Sequence, residues 1–255
     1  MNAIWIIAQN TFKENIRNRI MMVILFFSAA LITLSGVISH WSLNEQVKII
    51  KDFGLAAISI FGLLIAMFVG VRTFYQEIER KTVYMLVSKP IARSQIILGK
   101  YAGLAGTVLM NLGILTVCLL CIDYLIEQKI AWDILPAVAL GILEIFLIIA
   151  CAVFFSMLTS SVLSSILTFL IYVMGHMAPD VMLYTKLHPE SAINPLLKII
   201  YAVIPNLENF NIKSAVVGNL SLPDNAIMYA ALYGVAYTGI VLILTIVIFS
   251  RKDLK

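Results

Sequence analysis

The chain has 255 residues, of which 61% are hydrophobic and 13% charged, against about 45 to 50% apolar and about 25% charged in an ordinary soluble domain. A mean hydropathy of +0.98 excludes a soluble globular protein and places the chain among polytopic, all-α membrane proteins. The formal net charge of +4 is no nucleic-acid footprint, because the basic residues gather at the ends of apolar runs on one side.

The first segment, 4–19, carries Ile4, Ala8, Phe12 and Ile16 on one helical stripe, with Lys13, Glu14, Arg17 and Asn18 elsewhere around the helix. This predicts an interfacial helix lying along the membrane surface, with Trp5 as its anchor. Residues 20–39 are uncharged and long enough to cross a hydrocarbon core of about 30 Å, so they form the first span. A cleaved signal peptide would have an apolar core of about 7 to 15 residues and a small-residue cleavage site, so the segment is read as retained.

The second span is expected over 53–71 and the third over 101–122, with Gly99, Gly103, Ala105 and Gly106 offering small surfaces where helices can approach closely. A short acidic loop over 123–133 leads to a fourth span, 135–158. Thr159, Ser160 and Ser161 then allow only a tight turn before the fifth, 162–178. Residues 179–225 are the longest polar excursion. Within it, Asn194-Pro195 starts a helix that carries Leu196, Leu197, Ile200, Tyr201, Val203 and Ile204 until Pro205-Asn206 stops it. That helix reads either as a lid resting on or dipping into the outer leaflet, or as a plain surface segment. The sixth span, 226–249, is followed by the basic tail 251–255.

Six spans put both termini on one side. The N-terminal arm, the loop between spans two and three, and the tail together hold twelve of the 18 Lys and Arg, while the opposite loops hold six in company with nine acids. Both termini and the 72–100 loop are therefore expected in the cytosol. The whole chain, 1–255, reads as a single membrane domain without internal repeats.

The 72–100 loop is more than a connector. Six basic residues (Arg72, Arg80, Lys81, Lys89, Arg93 and Lys100) stand against Glu77 and Glu79. Tyr75, Gln76, Glu77, Ile78, Glu79 and Arg80 fit an amphipathic turn or two, with Glu77 facing Arg80 and Lys81. An apolar patch follows over 82–87, the chain turns at Lys89-Pro90, and Ser94 is the expected N-cap of the helix entering span three. The loop thus reads as a short helix, a turn and a second helix start on which a cytosolic partner can push. The sequence lacks G-x-x-x-x-G-K-[ST], and Gly99-Lys100 is followed by Tyr101, so nucleotide must be handled by another chain.

The run Q-E-I-E-R-K-T-V-Y-M-L-V-S-K-P-I-A-R-S-Q-I-I-L-G-K over 76–100 resembles the loop between spans two and three of type-2 ABC transporter permeases, in particular the nitrous-oxide-reductase maturation branch. The resemblance extends to W-I-I-A-Q-N-T-F-K-E-N-I-R-N-R over 5–19, to I-P-N-L over 204–207 and to F-S-R-K-D over 249–253. Where the family pattern has Gly before the Thr, Lys81 stands here. The resemblance implies a permease half, most simply of an exporter in a prokaryotic cytoplasmic membrane. It implies pairing with a second permease chain, identical or related. It also implies a separate cytosolic ATPase subunit that carries ATP and Mg, and a coupling helix made by Tyr75, Gln76, Glu77, Ile78, Glu79 and Arg80. No cofactor is expected on this chain, and lipid is its solvent.

Glu144 is the one ionisable residue deep in a span, and an isolated carboxylate at the bilayer centre costs about 2.5 to 3.5 kcal/mol even on the most lenient scale. Counted back from the outer end of the fifth span at Ala178, Thr168 and Tyr172 reach its depth, while His176 lies nearer the surface. Thr168 or Tyr172 is therefore the expected partner, in a structural hydrogen bond or a polar site on a transport path. His40, His176 and His188 are too scattered for a metal site. Cys118 and Cys121, spaced C-x-x-C inside an apolar run, read with Cys151 as small hydrophobes. Two other classes fit the composition. A non-transporting scaffold for an assembly would show no stimulated ATP hydrolysis, and an intramembrane enzyme would need Glu144 and His176 at one depth.

Overall fold

Long apolar runs in lipid leave the backbone no water to bond, so each run closes its own hydrogen bonds as a helix. The structure, a computed structural model, describes residues 3–39, 46–79, 92–190, 193–218 and 225–251, and among them there is no strand. Helix α1 (Ala3–Ile16) leads into α2 (Arg19–Ser39). Helix α3 (Gln46–Ile65) passes through a π-helical turn (Ala66–Gly70) into α4 (Val71–Glu79). Then come α5 (Arg93–Glu127), α6 (Leu135–Leu158), α7 (Ser161–His176), α8 (Ala178–Leu187), α9 (Asn194–Val203), α10 (Lys213–Val217) and α11 (Ala226–Arg251). Five of the described stretches are long and apolar enough to cross a membrane, and α7 with α8 supplies a sixth if that bent pair counts as one span.

Helix α6 is the axis of the bundle, contacting α3, α4, α5, α7 and α11. Its boundaries are those expected from the sequence, set by Pro136 in its first turn and by Thr159, whose extended backbone stops the helix. Helices α2 and α11 lie at the periphery and show Phe26, Phe27, Leu232 and Val235 on their outer faces, the surface a bilayer covers.

Several boundaries differ from the expected ones. The second span starts at Gln46 and continues as one apolar stretch to Tyr75, with α4 helical to Glu79. The third begins at Arg93 with Ala92 as N-cap. There the Ala92 N–H donates to Gln95 Oε1 at 3.2 Å, so Gln95 closes the first turn and Ser94 lies inside it. Helix α5 then runs on through Glu127 and ends where Gln128 takes a left-handed conformation (φ 57°). The expected 123–133 loop thus shrinks to a few residues and a 3-10 turn (Trp132–Ile134). Asp133 in that turn pairs with the buried Lys51 at 2.6 Å, tying it to the start of α3.

Helix α1 packs along α5, burying Ala8, Thr11 and Asn15. A Cβ on Gly103 would lie 2.6 Å from the Ala8 carbonyl oxygen, and one on Gly99 2.9 Å from that of Ile4. The small stripe seen in the sequence is thus the seat of α1, and Trp5 stays exposed beside it. At the same end of the bundle the Arg93 guanidinium donates to the carbonyl oxygens of Phe249 at 2.9 Å and Ser250 at 3.0 Å, satisfying the last turn of α11.

The fifth span is shorter than expected. Helix α7 stops at His176, and the chain turns by 52° at Met177 into α8. The excursion beyond α8 does not simply cover the surface. Helix α9 exposes Leu196, Ile199 and Val203, whereas Leu207 and Phe210 of the 3-10 turn that follows (Leu207–Phe210) are fully buried.

Candidate functional site

Two features decide how the 205–210 segment inserts. Gly175 near the end of α7 and Gly234 on α11 leave room for it. A Cβ on Gly175 would meet Leu207 Cγ at 2.6 Å, and one on Gly234 would meet Phe210 Cε1 at 2.8 Å. Pro205 and Leu207 thus seat against α7, Phe210 against α11, and the turn becomes a wedge between the two helices above α6. Its backbone is satisfied locally and across the seam. The Asn206 N–H donates to Tyr233 Oη at 2.8 Å, and Asn206 Oδ1 accepts from the Glu208 N–H at 3.1 Å.

The wedge carries Glu208 to the ring of His176, which also faces Glu144. The imidazole lies between the two carboxylates, with Nε2 2.9 Å from Glu144 Oε1 and Nδ1 3.1 Å from Glu208 Oε2. Asn211 Nδ2 donates to the other Glu208 oxygen, Oε1, at 2.8 Å. Tyr172 stands edge-on to the imidazole, ring centroids 4.7 Å apart. Lys213 on α10 feels both carboxylates, which favour its charge, but burial outweighs them and pushes its ammonium below the ordinary lysine range. The triad is graded in exposure, with side-chain accessibilities of 2% for Glu144, 23% for His176 and 40% for Glu208.

His176, not Thr168 or Tyr172, is therefore the partner of Glu144. Thr168 donates back to the Ser164 carbonyl at 2.7 Å, and Tyr172 meets the imidazole edge-on. Depth does not count back from Ala178, because α7 ends at His176 and the chain bends there. Measured from the tight turn shared by α6 and α7, Glu144 lies fourteen residues before Leu158 and His176 fifteen after Ser161, which at about 1.5 Å per residue is one level. Glu144 and His176 thus meet at one depth, but the pair has no nucleophile beside it in the described bonds. The two carboxylates sit on opposite edges of the imidazole, and no group of His, Cys, Asp and Glu among the described residues could hold a metal ion. Cys118, Cys121 and Cys151 are free thiols.

The expected coupling segment is only partly within view. Its root is firmly built. Phe74 is buried, and the Lys100 ammonium lies 5.1 Å from its ring centroid. Thr73 Oγ1 bonds to Asn15 Oδ1 at 3.1 Å and to the Val69 carbonyl at 2.7 Å. Tyr75 is half-buried, and the backbone of Gln76, Glu77, Ile78 and Glu79 continues the helix of span two without a break. Arg80 and the remainder of the loop to residue 91, with its apolar patch and its turn at Pro90, lie outside the described residues. Next to the root, Glu14, Asn15, Asn18, Arg19, Arg72 and Thr73 line most of an open polar pocket of about 380 Å³.

Compared with known protein families, residues 5–254 match the family described as ABC-2 family transporter protein. No individually curated protein matches the chain.

Proposed function

We propose that this chain, which belongs to the ABC-2 family of transporter proteins, works as the force-receiving half of an exporter. As a member it is a multi-pass membrane permease subunit of an ABC transporter and not itself the ATPase, and the family generally works with a separate ATPase subunit. Our reading goes further in four respects. The ATPase, with its ATP and Mg, docks on the coupling helix of Tyr75, Gln76, Glu77, Ile78, Glu79 and Arg80. Two permease chains, identical or related, form the pathway. Both termini face the cytosol across a prokaryotic cytoplasmic membrane. The loop between spans two and three resembles that of the nitrous-oxide-reductase maturation branch.

The observation that supports it most is the unbroken helix from span two into the coupling segment. A push at Tyr75 or beyond travels through a rod pinned to α1 by Thr73 and to α5 by Phe74 and Lys100, and the π-helical turn at Ala66–Gly70 is the place along that rod where register can shift. The polar site of Glu144 and His176, with Tyr172 edge-on to the ring, lies on α6 and α7, which α4 also contacts.

Reversing the charge at Glu77, Glu79 and Arg80 together is expected to abolish copurification of the ATPase and its stimulated hydrolysis while the helical content of the permease is kept. Undiminished stimulation in the triple variant refutes the coupling assignment.

A further inference from the structure

We propose that Glu144, His176 and Glu208 form a proton-holding latch that fastens the 205–210 wedge into the bundle and releases it when the triad loses one proton. The inference does not rest on the transport reading, and its test follows the wedge alone.

Proton counting carries the argument. A neutral imidazole has one N–H donor and one acceptor nitrogen, and an ionised carboxylate only accepts. Here each ring nitrogen faces a carboxylate oxygen, at 2.9 and 3.1 Å. Both bonds exist together only if the three groups hold at least two protons, and two suffice. These sit as an imidazolium between two carboxylates, or as a neutral imidazole donating to one carboxylate and accepting from the other in its protonated form. Either way the triad carries one net negative charge, which Lys213 faces from α10. Removal of one proton leaves a lone pair on nitrogen opposite an ionised carboxylate, so one bond becomes a repulsion. A third proton merely sets a neutral acid against an imidazolium and leaves both contacts in place.

The bond that fails is set by burial. Glu144 is 2% exposed and Glu208 is 40% exposed, so the arm that can turn to water is Glu208, on the wedge. Glu208 also gives the site its route to the solvent, since a proton can pass from it through Nδ1 and Nε2 to Glu144. The neighbouring groups do not replace the missing proton. Tyr172 offers the ring its edge, the Tyr233 hydroxyl on α11 bonds at Asn206, and the described hydrogen bonds of the imidazole go to Glu144 and Glu208. With the latch open, the wedge is held by Leu207 and Phe210 in their glycine seats and by the Tyr233 contact, all on one short turn.

Amide hydrogen exchange of the full-length chain in lipid nanodiscs, over residues 206–212 and from pH 6 to 9, tests this once rates are corrected for intrinsic exchange. Protection of these amides is expected to be constant at the acid end and to fall by about 10- to 100-fold through a single-proton step, the loss of one charge-assisted hydrogen bond, while α6 stays protected. Glu208→Gln supplies the distinguishing arm. Its amide N–H can donate to Nδ1 of a neutral imidazole whose Nε2–H donates to Glu144, so both links survive without the titrating proton and the step should vanish. A wild-type wedge whose protection does not change with pH overturns the latch, and so does a step of equal size in Glu208→Gln.

Discussion

The seat of α1 on α5 can be tested by a graded series of alanine substitutions along one helix. A Cβ on Gly103 would lie 2.6 Å from the Ala8 carbonyl oxygen and 2.7 Å from Thr11 Cβ, whereas ordinary van der Waals contact starts at 3.4 Å. The obstacle is backbone, which cannot rotate aside, so α1 must move off by several tenths of an ångström along its length. Overpacking of this kind costs about 1 to 3 kcal/mol. The same substitution recovers about 1 kcal/mol of helix propensity, for a net loss of about 0 to 2 kcal/mol. At Gly106 the nearest atom is Phe12 Cδ2 at 3.5 Å, and at Gly113 nothing lies within 4 Å. Both should therefore gain up to about 1 kcal/mol. The spread between Gly103→Ala and Gly113→Ala is thus about 1 to 3 kcal/mol, or about 5- to 150-fold in the unfolding equilibrium at 1.4 kcal/mol per tenfold. SDS titration in mixed micelles, followed by circular dichroism, reads it directly. Equal midpoints for Gly103→Ala and Gly113→Ala would show that α1 does not rest on α5 as described.

Two further outcomes are expected. Glu144→Gln should keep assembly and most ATPase stimulation, because its amide can donate to His176 Nε2. Glu144→Leu should destabilise the chain by about 1 to 3 kcal/mol by leaving Nε2 of the His176 ring unpaired, and should lower stimulation further; equal stability and activity in wild type, Gln and Leu would remove Glu144 from both structure and mechanism. In a variant whose native cysteines are replaced, Glu190→Cys, on the exposed stretch after α8, should react with an impermeant thiol reagent from outside intact cells, and Ile212→Cys, which is buried behind the wedge, should react far more slowly. Labelling of Glu190→Cys only after lysis contradicts the proposed orientation.

The membrane class, α6 and the close-approach stripe on α5 were legible in the chain because each is a local property. A residue's transfer free energy, a proline at a helix start and the absence of a Cβ act wherever the segment sits. Helix ends were less legible. The first span was placed within a residue, but the second and third were drawn too short. There polar residues such as Lys51 and Asp123 end an apolar run in the sequence, yet are buried inside the folded helices. The site itself needed the tertiary structure. Hydropathy continues through Met177, so nothing local announces that α7 stops below the expected surface. Counting residues outward from the turn at Thr159 and Ser160 would have placed His176 level with Glu144. Glu208 could not have been found that way. It is carried 32 residues along the chain back to His176 by a wedge whose position depends on two missing Cβ atoms, at Gly175 and Gly234, on two different helices. Sequence reports what each segment costs in lipid, but which segment re-enters, and which polar group meets which, is decided by the shapes of neighbours distant along the chain.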